Sequence, residues 1–196
     1  MHNRLPIARR LLAVAAAALI TGGAAAQEQV LITRGTDPAL PFTIIYPEAL
    51  RPIEDGSATT LLTLRHPDAP LQCDIFSVTG AAGGWTAEKA VENLDVAGIE
   101  ASWAEDFPGF SVVDQRVTDF ASGPALLYEG ESDNSPLGVP LRIVHAETID
   151  NDRTYAIECL IGRSVEAEAR PLVDFVIANF STRSDAECCV EPEAAD

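Results

Sequence analysis

The chain has 196 residues, a net charge of −17 and an apolar fraction of 47%. That apolar fraction supports a folded core and excludes a disordered polyanion, and the length suits a single domain. The negative charge argues against nucleic acid, whose phosphates it repels, and against anionic lipid.

Residues 1–26 read as a cleavable export signal. Arg4, Arg9 and Arg10 form a basic start, Leu11 to Ile20 a short apolar stretch, and Ala24-Ala25-Ala26 a small-residue cleavage site before Gln27. Ten apolar residues are too few to cross a bilayer core, which takes roughly 20. The expected location is therefore periplasmic or secreted, and loss of those three arginines takes the charge from −17 to −20. Residues 27–183 are expected to form one α+β domain, and 184–196 an acidic flexible tail.

After a polar entry, Phe42 to Tyr46 reads as a strand stopped by Pro47, and residues 48–58 as a loop. Leu61 to Arg65 and Leu71 to Val78 form the next two strands, the second with Leu71, Cys73 and Ile75 on one face. Thr86 caps a predicted helix to about Ala97, with a stripe of Ala87, Ala90, Val91, Leu94 and Ala97 and a stop at Gly98. Trp85, just before the cap, is expected to staple onto that helix. A short second piece is expected within 100–109, where Trp103 and Phe107, with Phe110, are expected to cover a sheet edge. Ser111 to Phe120, Ala125 to Glu129, Val139 to Ile149 and Arg153 to Ile161 read as four more strands, the last two joined by a tight turn at Asp150-Asn151-Asp152. A final helix is predicted from Pro171, or one turn earlier, to Phe180, burying Leu172, Phe175, Val176 and Phe180. Three strands, a helix, four strands and a helix, joined by short turns, predict an antiparallel sheet of six or seven strands flanked by helices.

Several short signatures sit on this frame. They are Phe42-Thr43-Ile44-Ile45-Tyr46-Pro47, the helix opening Trp85-Thr86-Ala87-Glu88, the approach Phe107-Pro108-Gly109-Phe110, the strand Arg153-Thr154-Tyr155-Ala156-Ile157-Glu158-Cys159, and the ending Ala178-Asn179-Phe180-Ser181. Together they resemble the PsbP-like family, named for an extrinsic subunit of photosystem II, over roughly residues 38–182. The resemblance implies an antiparallel sheet between helices, used mostly for docking to larger assemblies rather than for catalysis. The cation sites of photosynthetic members are not carried over, because no ligand position matches residue by residue.

The sequence holds no G-x-S-x-G elbow, no G-x-G-x-x-G loop and no H-E-x-x-H pair. His145 shares a predicted strand face with Leu141, Ile143, Glu147 and Ile149. It reads as a general base oriented by Glu147, or more simply as a half-buried histidine hydrogen-bonded within the sheet. Side chains two apart on a strand stand about 7 Å from each other, so the first reading needs a bridge. His66 and Asp68 in a proline-flanked loop make half a metal site or an exposed turn. Asp150-Asn151-Asp152 begins like a calcium loop, but its sixth position is Tyr155 and its twelfth Ile161, so a hairpin turn explains it better. Glu129, Glu131 and Asp133 are read as a solvated loop with weak divalent-cation binding as the alternative.

Cys73 and Cys159 each occupy the apolar face of a predicted strand. A bridge between them closes a loop of about 87 residues and is worth roughly 4 kcal/mol in the chain-entropy model; the alternative is two free buried thiols. Cys188 and Cys189 in the tail are candidates for a vicinal bridge, a pairing between chains, or a pair of soft-metal ligands. The expected function is an exported, non-enzymatic binding or assembly-accessory module for a protein partner of basic charge in the cell envelope, with no cofactor. The alternatives are a small periplasmic hydrolase using His145 with Ser77 or Ser111, and an acidic cation-binding protein.

Overall fold

The computed structural model describes residues 32–35, 40–53, 60–80 and 83–184. Residues 1–26, Cys188, Cys189 and the tail beyond Ser184 lie outside them. In chain order the elements are β1 (Ile32–Gly35), β2 (Thr43–Pro47), β3 (Arg51–Ile53), β4 (Thr60–Arg65), β5 (Leu71–Thr79), α1 (Ala87–Glu92), α2 (Val96–Trp103), β6 (Ser111–Phe120), β7 (Gly123–Ser132), β8 (Leu141–Asp150), β9 (Arg153–Gly162), α3 (Glu166–Ala178) and β10 (Phe180–Ser181). Seven strands form one antiparallel sheet in the order β3-β4-β5-β9-β8-β7-β6, and β1-β2-β10 form a smaller one.

Period-two alternation gives the large sheet two unlike faces. Leu71, Cys73 and Ile75 of β5, Tyr155, Ile157, Cys159 and Ile161 of β9, and Val144 and Ala146 of β8 point to the inner face, all buried. That face is sealed by Ala169, Val173, Val176 and Ile177 of α3, by Phe42 just before β2, and by Ile44 and Tyr46 within it. Phe180 of β10 is the hub, with ring centroids 4.9 Å from Phe120, 5.2 Å from Phe42 and 6.0 Å from Tyr155. Among the described residues, helices cover the outer face at one end. There α1 and α2 pack over β6 and β7, and Leu94, Ile99, Trp103 and Phe107 gather around Phe110, Tyr128, Leu141 and Ile143. Gly130 makes this possible, since a Cβ there would stand 2.1 Å from the Phe110 ring.

Cys73 and Cys159 are directly opposed across the β5–β9 ladder, with Cα atoms 4.0 Å apart, and form a disulfide. The tight turn after β8 is a two-residue hairpin loop in which Asn151 and Asp152 have φ of 50° and 58°. Two consecutive left-handed residues match the right-handed twist of the flanking strands, and Asn and Asp tolerate that conformation best among side-chain-bearing residues.

Four expectations are corrected. The helix predicted over residues 86–97 is two helices. Thr86 caps the first as expected, but the Asn93 amide donates to the Lys89 carbonyl at 2.7 Å and Asp95 opens a new helix by accepting the Gly98 N–H at 3.0 Å. Gly98 therefore lies inside α2 rather than ending a helix, and its missing Cβ leaves room for the Asp95 carboxylate. The last helix begins at Glu166, so Pro171 sits in its interior on the exposed side, where solvent can reach the carbonyl left without a donor. Its buried stripe is consequently Ala169, Val173, Val176 and Ile177, and Phe180 lies beyond the helix in β10. Finally, residues 32–35 and 51–53, read as entry and loop, are strands because tertiary partners complete their hydrogen bonding.

Phe180→Ala is expected to cost about 3–5 kcal/mol, as for other buried aromatics, read from the urea midpoint; a loss below about 1 kcal/mol would contradict its place as hub. The Cys73→Ala/Cys159→Ala double variant is expected to lose up to about 4 kcal/mol. A peptide map of the unreduced protein tests the bridge directly, and a free Cys73 peptide would contradict it.

Candidate functional site

Strand register assembles a feature that no single segment contains. Thr63, Asp74, Glu158, His145, Tyr128 and Gln115 are successive cross-strand partners on β4, β5, β9, β8, β7 and β6, all on the outer face. They form one polar rung across six strands. At its centre His145, only 7% exposed, holds Glu158 through Nδ1 at 3.1 Å and Glu147 through Nε2 at 3.3 Å. Its ring stacks on Tyr128 with centroids 4.5 Å apart and planes 14° from parallel. The Trp103 indole N–H donates to the Tyr128 hydroxyl at 2.9 Å, so α2 clamps the rung from above. At the other end Asp74 accepts from the Thr63 hydroxyl at 2.6 Å and from the Gln72 amide at 2.8 Å.

Burial alone would lower the His145 pKa. The hydrogen bonds to Glu147 and Glu158, with the charges of those carboxylates, outweigh it and push the imidazole up to about 9. The ring is therefore a cation at neutral pH and donates from both nitrogens. Burial also drives the Tyr128 phenol well above its usual value, opposed by the Trp103 bond and reinforced by the two nearby carboxylates. A cationic imidazole has no lone pair with which to take a proton, so this geometry is that of an electrostatic clamp.

The expected 7 Å gap between His145 and Glu147 is overturned, because the Glu147 side chain leans along the strand into direct contact. Ser77 and Ser111, weighed as nucleophiles, are not brought to it: Ser77 accepts from Arg153 at 3.1 Å, and Ser111 lies exposed on the edge strand β6. His66 does not pair with the Asp68 carboxylate; its Nδ1 accepts the Asp68 backbone N–H at 3.1 Å and closes the turn.

Glu129 and Glu131 do not lie in a loop but in β7, where arginines engage them. Arg170 grips Glu129 through both oxygens at 2.8 Å, and Arg116 adds a contact at 2.9 Å. Burial by itself would raise the Glu129 carboxyl; hydrogen bonds from Arg170 and Arg116, with their charges, bring it below the ordinary range instead. Glu131 is held by Arg142 at 2.9 Å and by Arg163. Asp133 stands exposed in the loop that follows. These pairs pin α3 and the turn before it to the sheet.

Two concavities flank the rung at opposite ends of β8. One, of about 280 Å³, is an apolar slot formed chiefly by Ala69, Pro70, Leu137, Leu141 and Leu160, with Arg65 and Gln72 at its rim. The other, of about 450 Å³, is a polar groove lined by residues that include Trp85, Glu88, Asp150 and Arg183. Trp85, expected as a helix staple, lines this groove together with strand residues such as Ile149 and Asp150. Trp103 and Phe107 cover the sheet's outer face rather than its edge.

No family model matches the sequence, and a search of curated proteins finds no match. Among solved structures, the chain is similar to the cyanobacterial PsbP (CyanoP) of Synechocystis, with a TM-score of 0.54 and 11% identity over 82% of this chain and 97% of that one. The fold is PsbP-like. The Ran-binding protein Mog1p of Saccharomyces cerevisiae is similar at a TM-score of 0.53 and 8% identity, with 78% of this chain and 96% of that one covered. A Bacteroides thetaiotaomicron protein follows at 0.51 and 14%, covering 79% of this chain and 49% of its own. The PsbP-like fold positions the rung by its strand order: β9 enters between β5 and β8 and brings Glu158 beside His145.

A raised histidine pKa stabilises the fold fully below the unfolded value of about 6.5, and the contribution is lost as pH rises through about 9. The difference in unfolding free energy between the parent chain and His145→Gln is therefore expected to be about 2 kcal/mol larger near pH 6 than near pH 10. Paired urea titrations at the two pH values measure it, and a pH-independent difference would refute the clamp.

Proposed function

We propose that this protein is an exported, non-enzymatic binding or assembly-accessory module acting on a protein partner in the cell envelope. The observation that carries the reading is the outer sheet face, which α1 and α2 cover over β6 and β7 while Gln72, Asp74, Phe76, Ala156 and Glu158 stay partly open to solvent. A sheet face that carries side chains from adjacent strands without a covering layer is a surface suited to another protein. The export signal read at residues 1–26 supports an envelope location.

The state of His145 supports binding over catalysis. A candidate base whose two nitrogens both donate to carboxylates is suited to holding side chains in place. By analogy of fold alone, Mog1p is described as Ran-binding, which indicates that this scaffold accommodates protein recognition. A net charge of −17 favours partners of opposite sign and makes association sensitive to salt.

The immobilised protein is expected to retain a defined envelope protein at low salt and to release it at about 1 M salt, where the screening length falls to about 3 Å. Cross-linking in intact envelopes is expected to trap the same protein. Retention of nothing at either salt, with no cross-linked adduct, would sink this reading.

A further inference from the structure

We propose that the open outer face over β5 and β9, together with the apolar slot beside it, is the docking surface for a partner segment that carries one apolar anchor and an adjacent lysine or arginine. This deepens the protein-binding reading and rests on it.

The slot and the carboxylates lie on successive same-face rungs. Gln72 and Leu160 are cross-strand partners at the slot, and Asp74 and Glu158 are the next such pair along β5 and β9. Residues two apart on a strand are about 7 Å apart, so an anchor in the slot places a neighbouring basic side chain within reach of the carboxylates. The slot, at about 280 Å³, holds one or two large side chains and lies just below the size of a typical small-molecule pocket. Its outer wall is Leu137, which is 65% exposed and gains most from being covered.

Charge selects the occupant. Across β5, β9 and β8 the carboxylates of Asp74, Glu158 and Glu147 surround His145, while Arg65 at the slot's rim donates to the Gln72 side-chain oxygen at 3.0 Å. A second copy of the chain would bring the same sign against it, on a molecule already at −17. Each glutamate uses one oxygen on His145, Oε1 of Glu158 and Oε2 of Glu147, and its other oxygen accepts no hydrogen bond among the described residues. His145 holds both carboxylates in place before a partner arrives, which lowers the ordering cost of binding. An ammonium or guanidinium group is the donor that fits those open oxygens.

The test uses a synthetic peptide of alternating Lys and Leu, with Glu-Leu and Lys-Ser counterparts, titrated into the isotope-labelled, disulfide-intact protein while amide resonances are followed. The Lys-Leu peptide is expected to shift resonances of β5, β9 and the loop at residues 133–140. Glu158→Gln and Leu137→Ser are each expected to weaken it about fivefold. Leu137 is exposed and outside the ion pairs, so its variant keeps the test decisive if Glu158→Gln loosens the fold. Shifts on other strands, equal affinity for either counterpart, or affinity unchanged in both variants would overturn the assignment. So would shifts of the same residues that track protein concentration without peptide, since these indicate a second copy. In each case a partner still trapped by envelope cross-linking leaves the broader binding reading standing, and its absence there fails that reading separately.

Discussion

Burial of one face of a seven-stranded sheet, under α3 and the β1-β2-β10 sheet, is the interaction on which everything else depends. The inner face holds most of the large fully buried side chains, from Leu64 and Ile75 to Ile157 and Phe180, and the buried disulfide crosses its centre. The helices α1 and α2 then suffice for only one end of the outer face. The rest is polar where it meets water, and there Asp74 and Glu158 lie half-buried beside the buried His145. The open part of the outer face is a consequence of how the apolar side chains are apportioned.

The two faces handle charge differently. On the inner side, Glu129 and Glu131 are neutralised by Arg116, Arg170, Arg142 and Arg163, and the pairs fasten α3 to the sheet. On the outer side a single imidazolium serves two carboxylates. The first arrangement leaves little capacity for an outside cation, whereas the second keeps carboxylate oxygens available. The outer edge strand β6 is meanwhile blunted by a bulge between Val112 and Asp114, by charged residues, and by Glu100, which accepts the Val112 N–H at 3.0 Å. That protection disfavours pairing of β6 with an added strand.

Local rules found the elements wherever periodicity and turn chemistry were strong. The alternation of Tyr155, Ile157, Cys159 and Ile161, the Asn151-Asp152 turn and the Thr86 cap are each legible within a few residues. They failed where a side chain redirected the backbone, as Asp95 does in starting a second helix, or where a distant strand supplied the hydrogen bonds, as β2 does for β10. Of the site, His145 and Glu147 were visible as same-face neighbours. Glu158 left one signal, an acid facing opposite to its buried neighbours Ile157 and Cys159. Tyr128, Asp74 and Trp103 left none that pointed to His145.

The sequence by itself determined an acidic α+β chain, the faces of its principal strands and the cysteine pair fit to bridge them, because alternation and composition act over short distances. Only the tertiary structure decided which strands are neighbours. That order puts Glu158 against His145 and Leu160 beside Gln72, since a cross-strand contact of about 5 Å can join residues that lie far apart along the chain.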